Sequence, residues 1–310
     1  MANFQVDKTA IQAIRSLIGG LQNSQLQKKL NQLHYADIAE IIQELSIDEA
    51  VYIIKLLNSA KTADALAELD EDIREGILKQ LSVKEIVGEI EELDTDDAAD
   101  LLSELPEARQ EKVFDQINDE TLAGDLRELL NYEENTAGGL MAKELVKVQE
   151  DLSVLKCVNT MRAQAENVTR VHSIYVVDSK NRLKGRLSLK DLITANSRAI
   201  VKDISIPNVD FVTSNQEGEE VARIMTKYDL EAIPVVNDKK ELLGRITIDD
   251  IVDFIKDEAE EDYLLAAGVS SDVEADDTIW DLSKARLPWL FLGLIGGLGR
   301  GFIFQNFEPI

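Results

Sequence analysis

The 310-residue chain has one cysteine and two histidines. Cys157 has no second cysteine to pair with, which excludes an internal disulfide and points to a reducing compartment. Neither His34 nor His172 stands near it at the spacing of a zinc or thiol-catalytic site. A Walker-type glycine loop is missing, so phosphate cradling has no candidate segment. Basic residues are scarce: 33 Lys and Arg face 59 Asp and Glu, a net charge of −26. That balance excludes nucleic acid as a partner, repels anionic lipid surfaces and attracts cations or basic proteins. Met1 to Gln12 is mixed and polar, without the apolar core of a secretion signal. Paired acid–base catalysis needs carboxylates in an apolar cleft, and solvated stripes of acid are the wrong setting for an enzyme.

What the chain does have begins with helices. Between residues 4 and 130 the only proline is Pro106, and similar phrases recur: LSIDEAVYIIKLL (45–57), LSVKEIVGEIEEL (81–93) and LDTDDAADLLSEL (93–105). Each opens with a leucine and a Ser, Thr or Asp able to cap the helix that follows. Short repeated helices of this kind predict a solenoid-like stack. Asp96, Asp97 and Asp100 stand at or near one helix start. Complementing the helix dipole explains Asp96 and Asp97 about as well as metal binding does, whereas Asp100 is further in.

A second repeat is more specific. SIYVVDSKNRLKGRLSLKDLI (173–193) aligns without a gap on AIPVVNDKKELLGRITIDDIV (232–252), with identities that include Val176/Val235, Lys180/Lys239, Gly185/Gly244, Arg186/Arg245 and Asp191/Asp250. Each copy reads as strand, turn, strand and helix. VLKCVNTM and EEVARIM supply matching upstream helices.

The doubled unit resembles a tandem pair of CBS domains, and NYEENTAGGLM (131–141) resembles the linker between the helical N domain and the CBS pair of MgtE-family magnesium transporters. The acidic helical repeats resemble that N domain. The resemblance implies a multidomain α/β chain: an all-α superhelical N domain (1–130), the linker (131–145), CBS domains at 146–200 and 201–257, an acidic connecting helix (258–284), and the start of a membrane domain (285–310). From the residues alone, Gly138-Gly139 says only that a turn or close approach interrupts the chain.

The C-terminal end is read independently. Leu287 to Phe304 is an apolar run of eighteen residues with one charge, Arg300. Eighteen is the lower limit for a spanning helix, and Lys284 and Arg286 before it would leave the N-terminal bulk cytoplasmic. A buried hairpin or re-entrant segment is the alternative. Ahead of it, DDIVDFIKDEAEED (249–262) crowds carboxylates with only Lys256 to offset them. On a helix Asp250, Asp253, Asp257 and Glu261 share one face, and Ile248, Ile251, Val252, Ile255 and Ala259 form a second, buried one.

Hard divalent cations suit this surface, since Mg²⁺ keeps several waters and takes one or two carboxylates directly. Mn²⁺ and Ca²⁺ accept similar ligands. The resemblance implies candidate ligands at Asp64, Asp96 and Asp100 of the N domain, at Glu219, Asp229, Asp250 and Asp253 of the CBS pair, and at Glu258, Glu261 and Asp262 on the helix leaving it. It also implies a homodimer, with residues 151–163 and 216–227 as contact elements, anchored in the cell membrane by its C-terminal segment. The expected function is magnesium sensing for a transporter or channel. The alternative is an adenine-nucleotide-responsive CBS module, with Asp191 matching the acid that grips ribose. Against ATP, the adenine-stacking positions fall on Ser173 and Leu230.

Overall fold

Amphipathic periodicity with frequent caps produces ten short helices among the described residues of the first 130: α1 Lys8–Gly19, α2 Asn23–Leu30, α3 Tyr35–Gln43, α4 Ile47–Leu57, α5 Ala60–Ala67, α6 Glu71–Gln80, α7 Val83–Ile90, α8 Thr95–Ser103, α9 Glu107–Phe114 and α10 Glu120–Leu129. The structure is a computed structural model that describes residues 6–57, 60–165, 168 and 170–266, the side chains of 260, 261 and 264–266 excepted. The expected membrane run at 287–304, the connecting segment beyond 266 and the Glu261 side chain lie outside the described residues. Among the described residues no helix is long and apolar enough to cross a membrane.

Helices α1 and α2 pack on each other, and from α3 onward each helix packs chiefly on one two places away, as in α3 on α5, α4 on α6, α7 on α9 and α8 on α10. Polar ties span about thirty residues each: Lys61 of α5 donates to the carbonyls of Asn31 and Leu33, between α2 and α3, at 2.7 and 2.8 Å, Lys55 of α4 pairs with Glu85 of α7 at 3.3 Å, and Gln80 of α6 donates to Asp48 of α4 at 3.0 Å. Nearest-neighbour stacking of this kind is how a solenoid builds its core. Ile14, Leu30, Ile41, Ile54, Leu66, Ile77 and Ile86 form the apolar row that it buries.

The doubled unit folds as predicted. Strands β1 Val146–Gln149, β2 Ile174–Val177, β3 Leu183–Leu187 and β4 Ile206–Pro207 form one sheet in that order, while β5 Val212–Thr213, β6 Ala232–Val236 and β7 Leu242–Thr247 form another. Helices α11 Val154–Ala165, α12 Leu189–Thr194, α13 Val201–Ile204 and α14 Gly218–Tyr228 complete the repeats. Cys157 is fully buried on α11. The register slips between Val176 and Val177, and at the matching place between Val235 and Val236. In the turns, Asp178 and Asn237 each accept two backbone N–H groups, and Asn181 and Lys240 both adopt the left-handed conformation (φ 58° and 60°). The two turns then join each other, Leu183 N–H donating to Lys240 O and Leu242 N–H to Asn181 O, both at 2.9 Å.

The segments leading into the two repeats are exchanged. β4, which leads into the second repeat, pairs with β3 of the first, at Gly185↔Pro207. Ala142, which leads into the first, pairs with Arg245 on β7 of the second. The linker is further stitched to the second repeat by Ala137 N–H to Gln216 O and Gly138 N–H to Ser214 O, both 2.8 Å. Gly138 and Gly139 mark close approaches: a Cβ would stand 2.4 Å from the Tyr132 ring and from the Glu134 carbonyl oxygen, respectively.

The chain divides into two compact units at Ile248/Asp249. The second unit contributes most of α15 (Ile248–Ala266). Here the expected buried face needs correction. Ile251 and Phe254 are buried, but Ile248, Val252, Ile255 and Ala259 are exposed, Val252 to 49%. At 100° per residue, Ile251 and Phe254 centre about 100° round the helix from Val252, Ile255 and Ala259, so the buried stripe is narrower than the apolar one.

Candidate functional site

Acids of the N domain gather where α8 begins. Burial pushes the Asp64 carboxyl on α5 above the usual carboxylate range, the neighbouring Asp94 adds to this, His34 offsets part of it, and Glu92 adds again. The loop before α8 thus brings a second and a third carboxylate toward Asp64. Asp94 is the N-cap residue of α8, yet its side chain makes no capping hydrogen bond. Its Oδ2 lies 3.8 Å from an Arg245 guanidinium nitrogen.

The cap comes from the linker instead. Glu144 Oε2 accepts from the Thr95 backbone N–H at 3.2 Å and from its hydroxyl at 2.8 Å. Thr95 Oγ1 in turn accepts from Lys143 N–H at 2.8 Å. Arg245 Nε donates to the Glu144 carbonyl. Burial pushes the Glu144 carboxyl up, against the opposing effect of the Thr95 bonds. Lys143 Nζ pairs with Glu128 of α10 at 2.7 Å. Arg245, only 5% exposed, is thus the buried cation facing this group of acids.

The other candidates are placed singly. Asp96 and Asp97 occupy the first turn of α8. Burial pulls the Arg74 guanidinium's pKa down, but the ion pair with Glu104 outweighs it and Asp100 adds to the rise, so the Asp100 charge is met inside the N domain. Glu219 and Asp229 stand at opposite ends of α14, about 15 Å apart along the axis, and do not form one site. Asp229 closes that helix in the left-handed conformation, φ 55°, which Asp tolerates better than most residues. Asp191 accepts from the Ser188 hydroxyl at 2.6 Å while its N–H donates back to that oxygen at 3.0 Å, so Ser188 caps α12 and Asp191 holds the capping hydroxyl. On α15, Asp250 is in the first turn, Asp253 accepts from Lys256 Nζ at 2.9 Å, Glu258 is half-buried and Asp262 is exposed. Among the described residues no three His, Cys, Asp or Glu side chains converge tightly enough to hold a metal ion directly.

Sequence reasoning missed Glu144 and Arg245 as partners of the N domain. The Gly-Arg identity in both repeats was the available signal, but it said nothing of what each arginine meets. It also missed Glu89, buried on α7 with Oε2 unpartnered and a carboxyl pushed up to about 7 by burial; the Thr62 hydrogen bond opposes that rise, and Glu92 and Glu85 add to it.

Comparison with known proteins supplies the frame. The family model of the MgtE intracellular N domain matches residues 33–135, and that of the CBS domain matches 137–198 and 201–257. The chain is 40% identical over 184 residues to the magnesium transporter MgtE of Thermus thermophilus, covering 59% of this chain and 41% of the relative. It is 36% identical over 182 residues to the Enterococcus faecalis protein of the same name, covering 59% and 40%. It therefore spans about two fifths of the length of these curated relatives. The crystal structure of the cytosolic domain of the Mg²⁺ channel MgtE in complex with ATP superposes with a TM-score of 0.72 at 35% identity, covering 78% of this chain and 99% of that one. That of the soluble part of a magnesium transporter gives 0.70 at 29%, covering 80% and 98%. With a helical N domain and a CBS pair in the same order, and a solved relative matched along nearly its whole length, the chain belongs to the MgtE family.

Proposed function

We propose that this chain is the magnesium-sensing regulatory region of a magnesium transporter or channel, bearing cations on the acidic surfaces of its N domain, CBS pair and connecting helix. The observation that carries the reading is Asp64, a half-buried carboxyl held up by desolvation and by two neighbouring carboxylates, Asp94 and Glu92. Such a group gains from an added cation. Magnesium suits the place because it binds through its own waters and needs few direct ligands. Sensing follows if the ion binds the closed arrangement more tightly than the open one, closing the pathway when magnesium is plentiful. Asp96, Asp100, Glu219, Asp229, Asp250, Asp253, Glu258, Glu261 and Asp262 serve as further, dispersed ligands. The region works as a homodimer at the cell membrane, its N-terminal bulk cytoplasmic; the bare row of Val252 and Ile255 gives a dimer apolar surface to cover.

A second reading, response to an adenine nucleotide, is favoured by the ATP carried by the relative at 35% identity. In this chain Asp191 is already engaged by Ser188, which favours the cation reading. Calorimetry with Mg²⁺ and with ATP on the same protein separates the two. Crystals grown with Mn²⁺ should give anomalous peaks beside Asp64 and Asp94. Heat from ATP alone, with neither magnesium heat nor manganese peaks, would overturn the sensing assignment.

A further inference from the structure

The far end of α8 carries a buried carboxylate that its ion pair satisfies on one oxygen only. Arg74 of α6 brings two guanidinium nitrogens, Nε at 2.6 Å and a terminal one at 2.5 Å, to the same atom of Glu104, Oε1. The third nitrogen of that fork donates to the Ala67 and Leu69 carbonyls. Oε2 is left buried with no hydrogen-bond partner, on a side chain 6% exposed. A buried acceptor without a donor costs stability, and such an atom in a folded protein calls for a reason. Burial pushes this carboxyl up; the Arg74 hydrogen bond and charge oppose that rise, and Glu71 and Glu75 add to it.

The Glu104 side chain is one wall of a cavity of about 70 Å³ between α6 and the turn from α8 to α9. Leu78, Leu105 and Pro106 make its sides apolar. Glu75 and Lys79 form its rim, their side chains 40% and 64% exposed and paired with each other at 2.9 Å, while Arg109 is held by the Leu81 carbonyl. Neither cation reaches Oε2. The Arg74 charge behind Oε1 is shared with Asp100 and Glu71. At roughly 10 to 15 Å³ for each water-sized centre, the space holds about five non-hydrogen atoms. Its occupant has to offer a donor to a carboxylate, bring positive charge toward Glu104 and Glu75, and lay carbon on two leucines and a proline. A divalent ion, which keeps its waters and asks for several oxygens, fails the last requirement.

We propose that this cavity binds a small primary amine in its ammonium form, the head donating to Glu104 Oε2 and the alkyl chain lying on Leu78, Leu105 and Pro106. Hydrogen bonds between ionised partners are the strong ones, and the net charge of −26 draws cations toward the chain. A ligand that joins α6 to the turn after α8 stabilises the N domain in proportion to its saturation. The site stands one helix length, about 13 Å, from the acids at the start of α8, and it does not rest on the sensing reading.

The test titrates the full chain with n-butylammonium chloride, n-butanol and ammonium chloride, and reads the methyl resonances of Leu78 and Leu105 together with the thermal midpoint. Butylammonium should shift both leucines to saturation and raise the midpoint. Butanol, of the same length but uncharged, should bind about tenfold more weakly, the worth of a hydrogen bond to a charged group. Ammonium chloride at matched ionic strength should move neither leucine. Glu104→Gln should abolish the preference for the amine over the alcohol. Butanol binding as tightly as butylammonium, or leucine shifts no larger than ammonium chloride produces, would overturn the site. So would a crystal grown with butylammonium that holds only water beside Oε2. These readings on the wild-type chain decide the matter even where Glu104→Gln fails to fold.

Discussion

A Cβ on Gly244 would stand 2.5 Å from the carbonyl oxygen of Ala142. The glycine therefore marks where the linker crosses the second repeat, and Gly185 does the same in the first, 2.6 Å from the Ile206 carbonyl oxygen. In both cases the obstacle is backbone, which cannot rotate aside. Gly244→Ala and Gly185→Ala should each destabilise the CBS pair by about 2 kcal/mol or more, within the range of overpacking. Denaturant midpoints measure this, and a loss below about 0.5 kcal/mol, an ordinary surface effect, would contradict the close packing.

Glu89 makes the N domain sensitive to pH. Folding raises its pKa from 4.5 to about 7, so the folded state holds the proton more tightly than the unfolded chain. The contribution is complete below pH 4.5 and is lost as pH rises through about 7. Glu89→Gln should therefore stabilise the protein at pH 8 by roughly 2 to 3 kcal/mol and have little effect at pH 4. Thermal unfolding of both proteins at the two pH values reads the difference.

Tyr175 is 2% exposed, its hydroxyl has no hydrogen-bond partner, and burial pushes its pKa up to about 12, with Arg245 and Arg186 pulling the other way. It packs with Val177 and with Leu242 of the other repeat. Tyr175→Phe keeps the ring and removes the unsatisfied group, so stability should rise by about 1 kcal/mol. A fall of that size would mean that the hydroxyl has a partner.

Asp64→Asn removes a carboxylate crowded by Asp94 and Glu92. In magnesium-free buffer the variant should be more stable than wild type. The gain that magnesium gives, which grows with the logarithm of saturation, should shrink. Thermal midpoints measured against magnesium concentration check both halves, and an undiminished gain would remove Asp64 from the ligand set.

Much of this architecture was legible because it is periodic. The phrases opening at Leu45 and Leu81 place Ser46 and Ser82 at helix starts, where both exchange bonds with the glutamate three residues on. The offset of 59 between Val176 and Val235 carries over to the matched register slips. Legibility failed where partners are far apart in sequence. Asp94 looks like a cap, and only the fold brings Arg245 to it. On α15, Val252 and Ile255 are as apolar as Ile251, so composition cannot say which row is covered. The acids failed differently: Glu219 and Asp229 read as one kind of residue, but a helix length separates them.

The exchange of lead-in segments between the repeats also bears on how such a chain can be taken apart. Ala142 and β4 each complete a sheet belonging to the other repeat. A single repeat excised with its own lead-in would carry a segment lacking its acceptor strand and a strand lacking its neighbour, and two such fragments would find their missing pieces in each other. Neither half is a self-sufficient module, and a graft, a circular permutation or a gene fusion has to treat residues 136 to 247 as one inheritance.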